Sequence, residues 1–184
     1  MDVFHWIVVP ISTVLGLAFA RVLSGYVVAF KSRDLIRFDW LPLVLAGLVL
    51  AEGLQFWWAL LELSSIKTWS LGAFTLLLAM VMLVFTAAAL VTPTDAETDL
   101  RRAFEHDGRW AFLALAPFHL LALIANVWFW GSPLLSATQA VILVLCVICL
   151  VAGTTRRRRV QEGATIAYAA LAVTGTLMAS ASTY

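Results

Sequence analysis

Charge is what this sequence has least of. Twelve Lys or Arg and eleven Asp or Glu make up 12% of its 184 residues, where soluble domains carry about a quarter. So few charges cannot wet a surface of ordinary size, and a water-soluble globule is excluded. Cysteine is scarce as well. Cys146 and Cys149 are the only two, and both fall inside an apolar run, which excludes a framework of extracellular disulfides. Their Cys-x-x-Cys spacing is that of redox motifs, but no charged neighbour is present to activate a thiol, and they read as small core hydrophobes. Histidine occurs three times. His5 lies at one rim and His106 in a loop, so one chain cannot hold a haem between two buried histidines. The sequence contains no glycine-rich phosphate loop, no His-Glu-x-x-His, and no nucleophile–histidine–acid set at a shared depth. No cofactor, metal or catalytic group is predicted, and nothing argues for an enzyme. A basic face on a soluble module, the footprint of nucleic-acid binding, is missing too.

What the sequence has is hydrophobic length. Apolar residues make up 62% of the chain, and a bilayer-spanning helix needs about 20 of them in a row. Six such runs are present, over 5–30, 40–63, 70–92, 110–130, 134–153 and 164–184. The fold class predicted is an all-α integral membrane protein, a single transmembrane domain over 1–184 built as a bundle of six helices. The longest interval between runs, Pro93 to Arg109, is too short for an aqueous core of its own. The first run has no basic residue ahead of it, and cleavage at Ala18-Phe19-Ala20 would leave half a helix. It is therefore expected to be a retained span and not a signal peptide. The sixth run, rich in Ala, Thr, Ser and Gly, is the least apolar and is expected to pack inside the bundle or against another subunit.

Orientation follows from basic residues in short loops. Lys31, Arg33 and Arg37 lie in the first loop, Arg101, Arg102 and Arg109 in the third, and Arg156, Arg157, Arg158 and Arg159 in the fifth. The second loop holds only Lys67, and the fourth holds none. The first, third and fifth loops are thus expected to be cytoplasmic, with both termini outside, in the cytoplasmic (inner) membrane of a bacterium. Tryptophans agree: Trp40 and Trp110 mark one interface, and Trp6, Trp57, Trp58, Trp69, Trp128 and Trp130 lie near the other, as an aromatic belt would place them. The Arg156–Arg159 run also suits anionic lipid headgroups. In the third loop, Thr94 and Glu97 have capping-box spacing. Ala96, Leu100, Ala103 and Phe104 then share one helical face, which predicts a short amphipathic cytoplasmic helix. It would serve as an ordered linker or as a docking element.

Three ionisable residues, Arg21, Glu52 and His119, fall deep within the runs, away from their ends. Each costs about 2.5–3.5 kcal/mol at a helix centre and is a functional candidate by default. Arg21 lies roughly 14 Å deep, Glu52 roughly 18 Å and His119 roughly 14 Å, counting 1.5 Å per residue from the basic ends of their runs. Arg21 and Glu52 sit on consecutive antiparallel helices and are the expected ion pair. Gln55 follows Glu52 by three residues on the same face, and Pro117 frees the carbonyl of Leu113 near His119. Arg21, Glu52, Gln55 and His119 are therefore the candidate lining of an ion or solute path. The plainer alternative is an ion pair that fixes helix register. Ser12, Gly16, Ala20 and Ser24 recur every four residues and form a small-residue face for helix packing or oligomerisation. The sequence thus suggests a channel or transporter for a small ion, proton or solute. A non-catalytic anchoring, regulatory or sensory subunit of a larger complex is the alternative. Expected partners are membrane lipids and either further copies of the chain or another membrane subunit.

Overall fold

A computed structural model of the chain describes residues 3–31, 33, 39–93 and 99–181, with backbone only for Val3 and 176–181. Six long helices carry the fold: α1 (Val3–Lys31), α2 (Trp40–Glu62), α3 (Leu71–Val91), α5 (Arg109–Trp130), α6 (Ala137–Thr154) and α7 (Arg158–Ala181). A single turn, α4 (Leu100–Ala103), precedes α5. Among the described residues there is no strand. The chain is an all-α membrane bundle, and α1, α2, α3, α4–α5 and α6 are each long and apolar enough to cross a membrane. At 24 residues α7 is long enough to cross, and it is the least apolar of the six long helices.

Local chemistry sets the helix ends. The side chains of Asp39, Ser70 and Ser136 accept hydrogen bonds from the backbone N–H of Leu41 (3.1 Å), Ala73 (3.1 Å) and Gln139 (3.2 Å), capping α2, α3 and α6. Pro93 cannot extend α3 and holds Thr92 extended at ψ 134°. Gly131, the one positive-φ residue among those described, ends α5 at φ 60°. Its N–H donates to the Val127 carbonyl (3.1 Å), the closure of an αL turn, and that of Ser132 to the Asn126 carbonyl (3.1 Å).

The helices close into a ring in the order α1, α3, α5, α6, α7, α2, each packed on two neighbours, with α2 and α3 also touching across it. One end of the ring collects the basic segments. The other collects aromatic rings, where Trp69 lies 6.0 Å from Phe4 and 6.0 Å from Phe129. Apolar side chains such as Leu17, Leu54, Leu120 and Val147 point outward, as a hydrocarbon solvent requires. Two glycines let backbones approach. A Cβ on Gly25 would stand 2.8 Å from that of Thr92, and one on Gly153 would meet Leu113 at 2.6 Å with backbone behind it at 3.2 Å.

Two expectations change in form. The short amphipathic segment exists, but Asp99 caps it (Oδ1 to Arg102 N, 3.1 Å), while Thr94, Ala96 and Glu97 lie outside the described residues. A π turn over Phe104–Gly108 joins it without a break to α5. Leu100 and Phe104 are each 2% exposed and face the bundle, so they offer no docking surface. The last helix begins at Arg158, earlier than the apolar run. Arg158 reaches back to Asp39 through a paired contact (Nη1–Oδ2 2.6 Å, Nη2–Oδ1 2.5 Å) and forward to Glu162 (2.9 Å). The start of α7 is thereby tied to the start of α2.

The approach of α5 and α6 sets an expectation. Gly153→Val should lower the unfolding free energy by about 1–3 kcal/mol, the usual cost of overpacking. Gly16→Ala, where an added Cβ meets nothing within 4 Å, should leave it unchanged or raise it. Thermal melts in detergent compare the two directly, and equal stability would contradict the close contact.

Candidate functional site

Three elements bring one polar side chain each to the interior. α2 supplies Glu52 (8% exposed), α5 supplies His119 (2%) and α7 supplies Tyr168 (0%). The Tyr168 hydroxyl donates to Glu52 Oε1 at 2.7 Å and lies 3.0 Å from His119 Nε2. One hydroxyl thus bridges a carboxylate and an imidazole that stand 67 positions apart in sequence. Aromatic packing fixes the geometry. The Phe118 ring meets Phe56 edge-on at 6.4 Å and His119 at 5.3 Å, and the His119 and Tyr168 rings are 5.7 Å apart. Beneath them the Cys146 thiol donates to the Ala116 carbonyl at 3.4 Å, in the stretch where Pro117 weakens the helix ladder.

The hydroxyl has one proton, and this couples the three groups. With Glu52 ionised, Tyr168 donates to it and must accept from His119, which then carries its proton on Nε2. With Glu52 protonated on Oε1, the carboxyl donates to Tyr168, and the hydroxyl turns its proton onto a bare Nε2, so the imidazole carries its own on Nδ1. The heavy atoms need not move between the two states. They differ by one proton, and its uptake reverses both hydrogen bonds and switches the imidazole tautomer. In a low-dielectric interior such a chain is strong when complete and costly when broken.

Arg21 is elsewhere. Its Nη2 donates to the carbonyls of Thr92 (3.2 Å) and Pro93 (3.4 Å), and the expected ion pair with Glu52 does not form. The physical reason is the unequal length of parallel helices. α3 stops at Val91, whereas α1 runs on past it, with Gly25 already against Thr92. Arg21 therefore stands level with the unsatisfied carbonyls at the end of α3, whose partial negative charge attracts a cation. Gln55 is exposed on α2 and does not join Glu52, Tyr168 and His119. Of the four candidate path residues the structure brings together Glu52 and His119.

The small-residue face of α1 points outward: Gly16, Ala20 and Ser24 are exposed and Ser12 is half-buried. The core-facing side of α1 is instead Ile7, Ile11, Leu15, Ala18 and Val22. Within the arginine run, Arg156, Arg157 and Arg159 are exposed, while Arg158 is held by Asp39 and Glu162. Both cysteines are buried and free. Among the described residues no group of His, Cys, Asp and Glu is placed to hold a metal.

Sequence reasoning missed Tyr168, Asp39, Gln161 and Thr165. Asp39, Gln161 and Thr165 are 5%, 4% and 0% exposed. The available signal was spacing. Arg158, Gln161, Thr165 and Tyr168 fall at i, i+3, i+7 and i+10, one face of a helix. Comparison with family models, with curated proteins and with solved structures gives no match for this chain.

Tyr168→Phe isolates the bridging hydroxyl. Removing it strands a buried carboxylate and a buried imidazole nitrogen, and it should cost about 1–3 kcal/mol of stability. In a double-mutant cycle with Glu52→Gln, measured by denaturant unfolding in detergent, the two losses should be strongly non-additive. Additive losses would mean that the groups do not act as one unit.

Proposed function

We propose that this protein handles protons within the membrane, as the coupling element of a small channel or transporter for a proton, ion or small solute. The observation that carries this reading is the buried Glu52–Tyr168–His119 chain. Ionisable groups are expensive in a bilayer, and carboxylate and histidine chains there commonly mark proton relays. Glu52 is the titrating group. Tyr168 transmits its state, and His119 receives it as a change of tautomer. A proton can pass along such a chain without an open pore, which suits a site this closely packed. Arg21 anchors α1 to the end of α3 and acts outside the relay. Gln55 lines the flank of α2.

The basic loops give the reading a direction. Their residues favour the cytoplasmic side of the inner membrane, with both termini outside, by the bias that orients polytopic chains. Arg156, Arg157 and Arg159 are free to meet anionic headgroups there.

A second reading has its own support. The exposed Ser12, Gly16, Ala20 and Ser24 face suits close contact with another helix, which favours a homo-oligomer or a subunit of a larger membrane assembly. The two readings are compatible if the relay works within an oligomer.

Proteoliposomes loaded with a pH-sensitive dye test the proton reading. Under an imposed potassium diffusion potential, the wild-type protein should acidify or alkalinise the lumen. Glu52→Gln should fall to the rate of protein-free vesicles, provided the variant still elutes as folded protein. Wild-type flux persisting in folded Glu52→Gln would remove Glu52 from the mechanism.

A further inference from the structure

The inner face of α7 is polar over its first three turns. Starting from the basic end it presents Arg158, Gln161, Thr165 and Tyr168. Gln161, Thr165 and Tyr168 are 4%, 0% and 0% exposed, while Ile166 and Val173 on the opposite side are 61% and 58% exposed. The helix is thus turned apolar side out and polar side in. In hydrocarbon this arrangement places polar groups against the bundle interior or a water-filled cavity. From Arg158 to Tyr168 is ten residues, about 15 Å of helix, and from Asp39 to Glu52 on the facing α2 is thirteen, about 20 Å. Both elements therefore lead from the Asp39–Arg158 contact at the basic end to the Tyr168–Glu52 contact in the interior.

The side chains along this face keep unused hydrogen-bonding capacity. The Thr165 hydroxyl donates to the Gln161 carbonyl of its own helix (2.9 Å), leaving its oxygen able to accept from another donor. Gln161 Nε2 donates to the Thr155 carbonyl (3.1 Å). Successive polar groups on α7 are three or four residues apart, about 4.5–6 Å of rise, a gap that one or two bridging waters close. Asp39, with its side chain 3% exposed, and Arg158, with its own 21% exposed, stand at the mouth.

We infer that the α2–α7 seam is the proton access route to Glu52, running from the basic end past Asp39–Arg158, Gln161 and Thr165 on bound water. The inference rests on the proton reading of Glu52. It adds the side from which the site is served and the residues that serve it. A proton leaves bulk water at the basic end, passes between waters held by Gln161 and Thr165, and ends on the Glu52 carboxylate. The carboxyl then turns its hydrogen bond onto the Tyr168 oxygen and the Tyr168 hydroxyl turns its own onto His119 Nε2, while the imidazole gives up its Nε2 proton and takes one on Nδ1, so that the unit gains one proton in all.

Radiolytic hydroxyl-radical footprinting of the protein in lipid nanodiscs tests for water without relying on transport. Tyr168 should be oxidised readily despite its burial, because water lies beside it, whereas the equally buried Phe112 should be nearly inert. Thr165→Val combined with Gln161→Leu should reduce Tyr168 labelling several-fold. The same pair should slow wild-type proton flux several-fold in the dye assay, with Ile166→Val as an unaffected control. Tyr168 as inert as Phe112 would overturn the inference, as would Tyr168 labelling that the paired substitution leaves unchanged. These outcomes are separable from failure of the Glu52 reading, which shows as full flux in Glu52→Gln whatever the footprint.

Discussion

The Tyr168 hydroxyl is the point on which this bundle turns. Hydrocarbon offers no hydrogen bond to a stray carboxylate or imidazole, so each buried polar group must be satisfied by the protein or by water the protein holds. Glu52 on α2 and His119 on α5 do not bond one another. They share one oxygen, delivered by α7. α7 is the least apolar of the long helices, yet it carries the atom that completes the interior. Its docking and the state of the site are therefore one equilibrium.

Two further charged groups, Arg158 and Arg21, hold helix ends. Arg158 binds the Asp39 carboxylate that also caps α2, and Arg21 closes the carbonyl end of α3. A largely buried ion pair such as Arg158–Asp39 adds little net stability but is costly to break when misregistered. Together the two contacts set the axial level of α7 against α2 and of α1 against α3. That level brings a residue ten positions into α7 beside one twelve positions into α2. The polar face of α7 then joins the latch at the basic end to the relay in the interior.

The bundle was legible from composition and run length, because a bilayer imposes its thickness on every span. Glu52 and His119 were legible for a related reason: a titratable group in an apolar run is conspicuous. Their bridge was not, because a tyrosine in a run of Ala, Thr and Gly looks like an interfacial residue. Only the shared face with Gln161 and Thr165 marks it as inward. Arg21 was misplaced because its depth was counted from the end of its own helix. Real depth depends on where the neighbour stops, and α3 stops early at Pro93. Arg158 was hidden in a run whose charge already had a sufficient explanation as an orientation signal. Its neighbours stay in water, while it alone meets a buried acid more than a hundred residues away in sequence. Such pairings follow from tertiary packing, which local pattern does not encode.

The central claim is that Glu52, Tyr168 and His119 bear protons as a single unit. Solid-state 15N NMR of His119 in lipid bilayers tests it most directly. Its signals can be assigned by difference from a His119→Gln sample, which separates them from those of His5 and His106. On acidification the His119 proton should move from Nε2 to Nδ1 as Glu52 is protonated, and Tyr168→Phe should abolish that switch. A His119 tautomer that stays fixed as the carboxyl band of Glu52 appears in the infrared, or that switches equally well without the Tyr168 hydroxyl, would contradict the account.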